Sequence, residues 1–240
     1  MMNDPSWCVI ENALSQDTDD RIHEVFQELD VRIECVQSSE ILSLRHRCVD
    51  HFRRVFTHVT AYHACRPTDI ASYLNKGLVP ANTEALIAEA KILFNNQDAV
   101  NEVVERIGKT YLDHGREKIG FFMSRTGALE SCYSHYLRYG SELFQCIANR
   151  LGDSAVQKIS NQGTPTLFRC ALPISWLDEF TTFPMTAAYA NKPLVQLVAR
   201  LRWLENRDST IRGAFMLTCH LPSEYMLEHI DMTPFMNEEH

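Results

Sequence analysis

The chain has 240 residues, of which 45% are apolar, so it is long enough to bury a full core in one large domain. Its net charge is -8, which disfavours generic nucleic-acid binding, because proteins that bind long phosphate backbones present a basic face. The eight cysteines are scattered singly, without a C-x-x-C pair or a short Cys/His cluster, and this spacing argues against a metal site such as zinc.

The sequence carries no signal for a membrane or an export route. No segment approaches about 18 uninterrupted apolar residues, and the N-terminus lacks a basic region followed by an apolar run. We therefore expect a cytoplasmic protein with reduced thiols and no membrane contact.

Residues 1–58 are predicted to form a helical N-terminal segment. Apolar residues recur at helical spacing over 17–29, and a longer amphipathic helix is predicted over 38–56. The polar face of this second helix carries Arg45 and Arg53, which are either solvated or available to a partner.

The stretch from Ala61 to Gly77 organises the remaining chain, 59–240, which we predict to be one nucleotide-binding α+β domain. Residues 59–64 are expected to form a strand, and a helix is expected to begin near Pro67 and to end at Gly77. Polar side chains then lie at a strand-to-helix corner, where they can face a cleft.

Three side chains at this strand-to-helix corner could bind a ligand or take part in chemistry. His63 supplies a donor and an acceptor near neutral pH, and Arg66 supplies a planar fork for a diphosphate or a carboxylate. The alternative is that His63 is a hydrogen-bonded core residue and Arg66 a surface charge. Cys65 is a weaker candidate for a nucleophile, because no base is paired with it at a recognisable spacing.

A helical insert, 83–113, follows a short connection. Helices are predicted from Thr83 to about Phe94 and from about Asp98 to Tyr111, with Thr83 as N-cap. The insert is expected to act either as a lid over a cleft or as a structural helical layer.

Three strands are predicted in the second half of the domain. They cover Ile119 to Ser124, Thr166 to Leu172 and Ala214 to His220, and the last two are followed by proline. Strands and helices do not alternate regularly, so the expected fold class is α+β rather than doubly wound α/β.

The second candidate cluster combines three tyrosines with a carboxylate. Tyr133, Tyr136 and Tyr139 are spaced to line one edge of a helix, where their rings could stack on a heterocycle. Gly140 permits a bend before a helix predicted from Glu142 to Leu151. Glu142 could grip a ribose hydroxyl, stabilise a cationic sugar or act as a base, or it could simply balance the helix dipole.

These stretches resemble the ADP-ribosyltransferase superfamily. Residues 62–66, Tyr-His-Ala-Cys-Arg, followed by a helix and Lys-Gly-Leu at 76–78, are similar to the first motif of that family. Residues 121–124, Phe-Phe-Met-Ser, and the tyrosines after them resemble the second motif. Residues 222–225, Pro-Ser-Glu-Tyr, are similar to the C-terminal part of several bacterial members. The resemblance covers 59 to 232.

The resemblance implies a split, mostly antiparallel sheet that clasps NAD as substrate, and a reaction through an oxocarbenium-like ribose. Carried over residue by residue, it implies Glu142 and His63 as catalytic residues. It also implies that the nucleotide is bound by His63, Arg66 and Ser124, together with one of Tyr133, Tyr136 and Tyr139.

One departure leaves alternatives open. In the family the catalytic glutamate usually begins a late strand, whereas Glu142 closely follows the second motif and begins a predicted helix. Glu142 is then a relocated equivalent, or the acid lies elsewhere, or the fold is kept without the reaction. The resemblance therefore implies a protein that binds NAD and transfers or hydrolyses ADP-ribose, with a protein as one candidate acceptor. The alternatives are a non-catalytic module, associated with stress, phage or defence, that binds a protein partner, and a nucleotide-processing hydrolase using Glu142 as base.

Overall fold

The computed structural model describes residues 9–10, 57–80, 82–115, 118–122, 135–176, 181–182 and 214–236. The strands are β1 Val9–Ile10, β2 His58–Cys65, β3 Ile119–Phe122, β4 Thr166–Pro173, β5 Thr181–Thr182, β6 Ala214–Leu217 and β7 Met226–Asp231. The helices are α1 Ile70–Lys76, α2 Thr83–Phe94, α3 Gln97–Gly115, α4 His135–Tyr139, α5 Glu142–Leu151, α6 Asp153–Ser160 and α7 Thr233–Met236, with a 3-10 turn at Ser223–Tyr225.

One antiparallel sheet forms the centre of the fold. Its five main strands run in the order β6-β3-β2-β4-β7, and every neighbouring pair among them is antiparallel. The short β5 pairs antiparallel with β6, and β1 pairs parallel with the beginning of β2. The predicted α+β class and mostly antiparallel sheet are confirmed. Residues Val9 and Ile10 join this same sheet, and the two predicted N-terminal helices lie outside the described residues.

Strand β2 is covered on both faces, and its side chains alternate between them. On one face Tyr62 and Ala64 pack with Leu167, Phe122 and Leu137, the last of these from α4. Such two-sided burial extends along the strand, since seven of its eight residues are buried, including the polar His58 and Thr60.

The other face of the sheet carries an aromatic layer. Phe121 and Phe168 are fully buried, and the ring of Tyr73 from α1 stacks on Phe168 at a centroid distance of 5.4 Å. His63, paired with Phe168 in the β2–β4 register, contacts the Phe121 ring at 5.8 Å. Helix α1 therefore lies against the face of the sheet to which His63 points.

The helical insert is a structural layer. Ala90 of α2 and Val100 and Val103 of α3 pack with Leu143 and Ile147 of α5 in one buried cluster. This packing matches the structural alternative for residues 83–113, and α2 additionally contributes one wall of the cleft described below.

Helix ends follow side-chain capping closely. Asp69 caps α1 by accepting a hydrogen bond from the Ser72 amide at 3.3 Å, so the helix begins at Ile70 and the predicted start near Pro67 is wrong. Pro67 is instead tied to the chain before β4, since its carbonyl accepts from the Thr164 amide at 3.1 Å. The predicted end at Gly77 is confirmed.

Five elements were not anticipated from the sequence: the two-residue strands β1 and β5, and α6, β7 and α7. Helix α5 is found with its predicted bounds, as is α2, although Asn82 rather than Thr83 is the N-cap of α2. Among the helices that the structure describes, none is long and apolar enough to cross a membrane.

Candidate functional site

The two predicted stretches meet at the carboxyl end of β2. A cleft of about 290 Å³ opens there, between the beginning of α1 and the beginning of α5. Arg66, Asp69 and Tyr73 line it from the first stretch, and Tyr139 and Gly140 line it from the second. The structure therefore brings Arg66 and Tyr139 together, as the prediction of a shared cleft requires.

Arg66 joins three separate segments through backbone carbonyls. Its Nε donates to the Gln162 carbonyl at 3.0 Å, and its two terminal nitrogens donate to those of Leu137 at 3.0 Å and Gly163 at 3.1 Å. A guanidinium has five N–H groups, so at most two remain for a ligand. The side chain fixes the end of α4 and the loop before β4 to the corner after β2.

Two glycines permit this close assembly. Gly140 has φ of 77°, and a Cβ atom added there would lie 3.6 Å from the Cβ of Arg66. Gly163 has φ of 68°, and an added Cβ would lie 2.6 Å from the Pro67 carbonyl oxygen. Both positions need a left-handed backbone, and at Gly163 a side chain would also collide with the corner. These two glycines therefore allow the chain around residues 140 and 163 to lie close to the Arg66–Pro67 corner.

His63 is held as a neutral imidazole in the sheet. Its Nδ1 lies 2.7 Å from the Gly120 carbonyl oxygen and donates to it, which leaves the lone pair on Nε2. Burial lowers the pKa of His63, and this outweighs the opposing effect of the Gly120 carbonyl. His63 does not line the cleft, so the structure shows a hydrogen-bonded histidine within the sheet.

His63 and Glu142 lie on opposite sides of the sheet. Tyr136, which holds Glu142, packs against the cluster that contains Tyr62 and Phe122. Because adjacent residues of a strand point to opposite faces, His63 is directed away from that cluster. The structure thus does not bring the two predicted catalytic residues together.

Glu142 forms a compact polar cluster with two residues of α4. The Tyr136 hydroxyl donates to Glu142 Oε1 at 3.0 Å, and His135 Nε2 lies 3.3 Å from the same oxygen. The His135 and Tyr136 rings are 4.1 Å apart. Burial raises the pKa of Glu142, so this carboxyl holds a proton more readily than an exposed glutamate does. His135 was missed by the sequence reasoning, although it directly precedes Tyr136.

Glu142 also begins α5. Ser141 caps this helix by accepting from the Phe144 amide at 3.1 Å, and Glu142 is the first helical residue. The helix dipole favours a carboxylate at that position and offsets part of the cost of burying its charge, so the structural explanation for Glu142 holds beside a catalytic one.

We expect Glu142→Gln to raise the melting temperature near neutral pH and to leave it unchanged near pH 4. A carboxyl whose folded pKa is raised stabilises the fold below its unfolded pKa, and that stabilisation is lost as the pH rises through the folded pKa. Glutamine mimics the protonated form. Since the side chain is 40% exposed, the shift should be only about 1 °C. Thermal unfolding from about pH 4 to pH 8 measures it.

The matched control is Glu105→Gln, on the exposed side of α3. Replacing this exposed carboxyl should change the melting temperature little. A melting temperature of Glu142→Gln below that of the unmodified protein across the whole range would contradict the raised pKa.

The remaining predicted residues divide into three groups. Tyr139 lines the cleft, whereas Tyr136 packs on the sheet, so two tyrosines predicted on one helix edge serve different clusters. Ser124 and Tyr133 lie outside the described residues. Cys65 is buried, and burial raises the pKa of its thiol, which keeps it protonated and a poor nucleophile.

Comparison with known proteins does not assign the chain to a family. No known family, no curated protein and no solved structure matches the chain. Within the described ranges, no group of three or more His, Cys, Asp or Glu side chains could hold a metal ion.

Proposed function

We propose that the chain is an ADP-ribosyltransferase-like protein that binds NAD or a related nucleotide in the cleft at the end of β2. One observation carries this proposal: Arg66 and the segment Tyr139–Gly140, predicted separately from the sequence, line the same cleft. Apart from the cleft, the mostly antiparallel sheet is of the kind that the family resemblance implies.

In this proposal the cleft binds the nucleotide, and the Glu142 cluster supplies the catalytic group. Tyr139 supplies an aromatic ring for stacking, and Arg66 keeps that part of the wall in place. Glu142 begins the helix whose Phe144 lines the cleft, and its carboxyl supplies the group that steadies a cationic ribose or transfers a proton. The carboxyl contacts Tyr136 and His135 and is not part of the cleft lining, so in this proposal it reaches the ribose through a change of rotamer.

Ligand binding is the first test. Thermal shift and calorimetry with NAD, ADP-ribose and AMP should show binding of at least one nucleotide, and Tyr139→Ala should weaken it about tenfold or more, the loss expected for one stacked ring. Phe235→Ala is the control, because Phe235 is 43% exposed and is not part of the cleft lining. If no nucleotide shifts the melting temperature, the proposal fails.

Catalysis is tested through Glu142. We expect Glu142→Gln to slow nicotinamide release from NAD by about 100-fold or more while nucleotide binding is retained, since general acid–base groups contribute that much. Release is followed by chromatography, and Glu105→Gln serves as the charge-matched control. Equal rates for the two variants would remove Glu142 from the mechanism.

A second candidate is a non-catalytic nucleotide-binding module that serves a protein partner. The observation in its favour is that His63 and Glu142 lie on opposite faces of the sheet, so the two predicted catalytic residues do not share a site. Binding of NAD or ADP-ribose without nicotinamide release or label transfer would select this candidate over the transferase.

A further inference from the structure

We infer that the cleft binds an uncharged or cationic aromatic ring, and that Arg66 builds this site instead of binding an anion. The inference deepens the proposed function, since it takes the same cleft as the ligand site. It places the ring end of a nucleotide inside the cleft and the phosphates outside.

The donors of Arg66 are directed at the protein. Three of its N–H groups already serve the carbonyls of Leu137, Gln162 and Gly163. A phosphate site needs several donors that converge on the ligand, either side-chain forks or backbone amides. Withdrawing Arg66 from its carbonyls to hold a phosphate would leave those acceptors without their partner. The guanidinium therefore acts as a structural link, or strut, that holds α4 and the loop before β4 together.

The charge of the lining favours a cation. Asp69 and Glu89 contribute two carboxylates to the cleft against one guanidinium from Arg66. Burial is the main cause that raises the pKa of Tyr73, and the charge of Glu89, which is exposed on α2, adds to it. The side-chain charges of the lining therefore disfavour a dianionic group and oppose the attraction that the N-termini of α1 and α5 exert on an anion.

The shape and walls of the cleft suit one ring. Tyr73 is held by its stack on Phe168, with an angle of only 11° between the rings, while Tyr139 and Phe144 contribute further aromatic surface. The volume of about 290 Å³ lies just below the usual range of ligand pockets, which begins near 300 Å³. A ring with part of its sugar fits this space, and a whole dinucleotide does not.

Three probes of equal size and different charge test the inference on the full chain. Benzamidine is cationic, benzamide is neutral and benzoate is anionic at neutral pH, and their affinities are measured by ligand-observed NMR titration. We expect benzamidine to bind at least as tightly as benzamide, and benzoate to bind tenfold more weakly or not at all. Glu89→Gln should reduce the preference for benzamidine over benzamide severalfold, whereas Glu105→Gln, on the next helix, should not.

Arg66→Lys separates a strut from an anion ligand. If Arg66 holds the walls, lysine fails to replace its planar fork, and the affinities for benzamidine and benzamide both fall about tenfold at a temperature where the variant is folded. Rescue of both affinities by lysine contradicts the inference. So does tight binding of benzoate that Arg66→Lys selectively weakens.

The outcomes also separate this inference from the proposed function. Benzamidine binding at the cleft without any response to NAD supports the inference and refutes the nucleotide assignment. NAD binding that is matched by ADP-ribose and competes with benzoate supports the nucleotide assignment and refutes the inference. Failure of all three probes to bind at millimolar concentration refutes the inference.

Discussion

Replacing Gly77 by alanine is expected to lower the free energy of unfolding by about 4 kcal/mol or more. Gly77 ends α1 with φ of 79° and ψ of -164°, a backbone region that is nearly exclusive to glycine. An added Cβ would overlap the carbonyl oxygen of Leu221 and lie 2.8 Å from the Pro222 carbonyl carbon. The neighbouring Leu78–Leu221 bridge prevents that backbone from moving away, because both of its hydrogen bonds are made there. Urea unfolding measures the loss.

Gly152→Ala is the matched control for this prediction. Gly152 has φ of 95° and ψ of -176°, close to the values at Gly77, but nothing lies within 4 Å of an added Cβ. Its replacement carries the backbone cost alone, about 1–3 kcal/mol. Similar losses at the two glycines would show that the collision with Leu221 is relieved by local adjustment.

Replacing Arg66 by methionine is expected to lower the free energy of unfolding by about 3 kcal/mol. Methionine keeps much of the apolar stem but removes the donors to Leu137, Gln162 and Gly163, which leaves three carbonyls without a charged partner. Urea unfolding gives the size of the loss. Amide hydrogen exchange should rise first at 139–141 and 162–164, the segments that Arg66 joins.

Arg106→Met provides the surface comparison. Arg106 is 64% exposed and pairs with Glu102 one helical turn away, so its removal should change the free energy of unfolding by no more than about 0.5 kcal/mol. If Arg66→Met were equally mild, water would be able to replace the guanidinium at all three carbonyls, and the strut would be dispensable.

Local signals account for the parts of the fold that were predicted from the sequence. The bounds of α2 and α5 follow from good helix formers preceded by Asn82 and Ser141, whose side chains cap the first turn. Strand β2 follows from a short apolar run rich in β-formers. Gly77 as a helix end follows from glycine's freedom at positive φ.

The predictions failed where two local signals compete or where the apolar pattern is weak. Pro67 is a good first residue of a helix, but Asp69 caps α1, and Pro67 instead packs against the chain before β4. Strand β7 was missed because Glu228, His229 and Asp231 are polar and exposed along an edge strand, so the apolar pattern is weak there.

The candidate site was predictable only in part. The corner after β2 and the bend at Gly140 are local features, and both line the cleft. The face to which His63 points depends on the pairing of β2 with β3 and β4, which no local pattern gives. The role of Arg66 likewise depends on backbone carbonyls that are far away in the sequence. Every residue has such a carbonyl, so the residue types do not reveal which ones accept from Arg66.

The pairing of β2 with β4 also bears on how the chain folds. Their register joins His58 to Pro173 and Cys65 to Thr166, partners about a hundred residues apart, and it is the most extensive pairing in the sheet. The entropy of closing so long a loop has to be overcome before this pairing contributes, which gives the domain a high contact order. During synthesis β2 emerges long before its partner. Its backbone hydrogen-bonding groups and apolar side chains therefore stay unpaired and uncovered until the helices between the two strands and then β4 have left the ribosome. Slow folding and a requirement for protection of β2 in the nascent chain are the expected consequences.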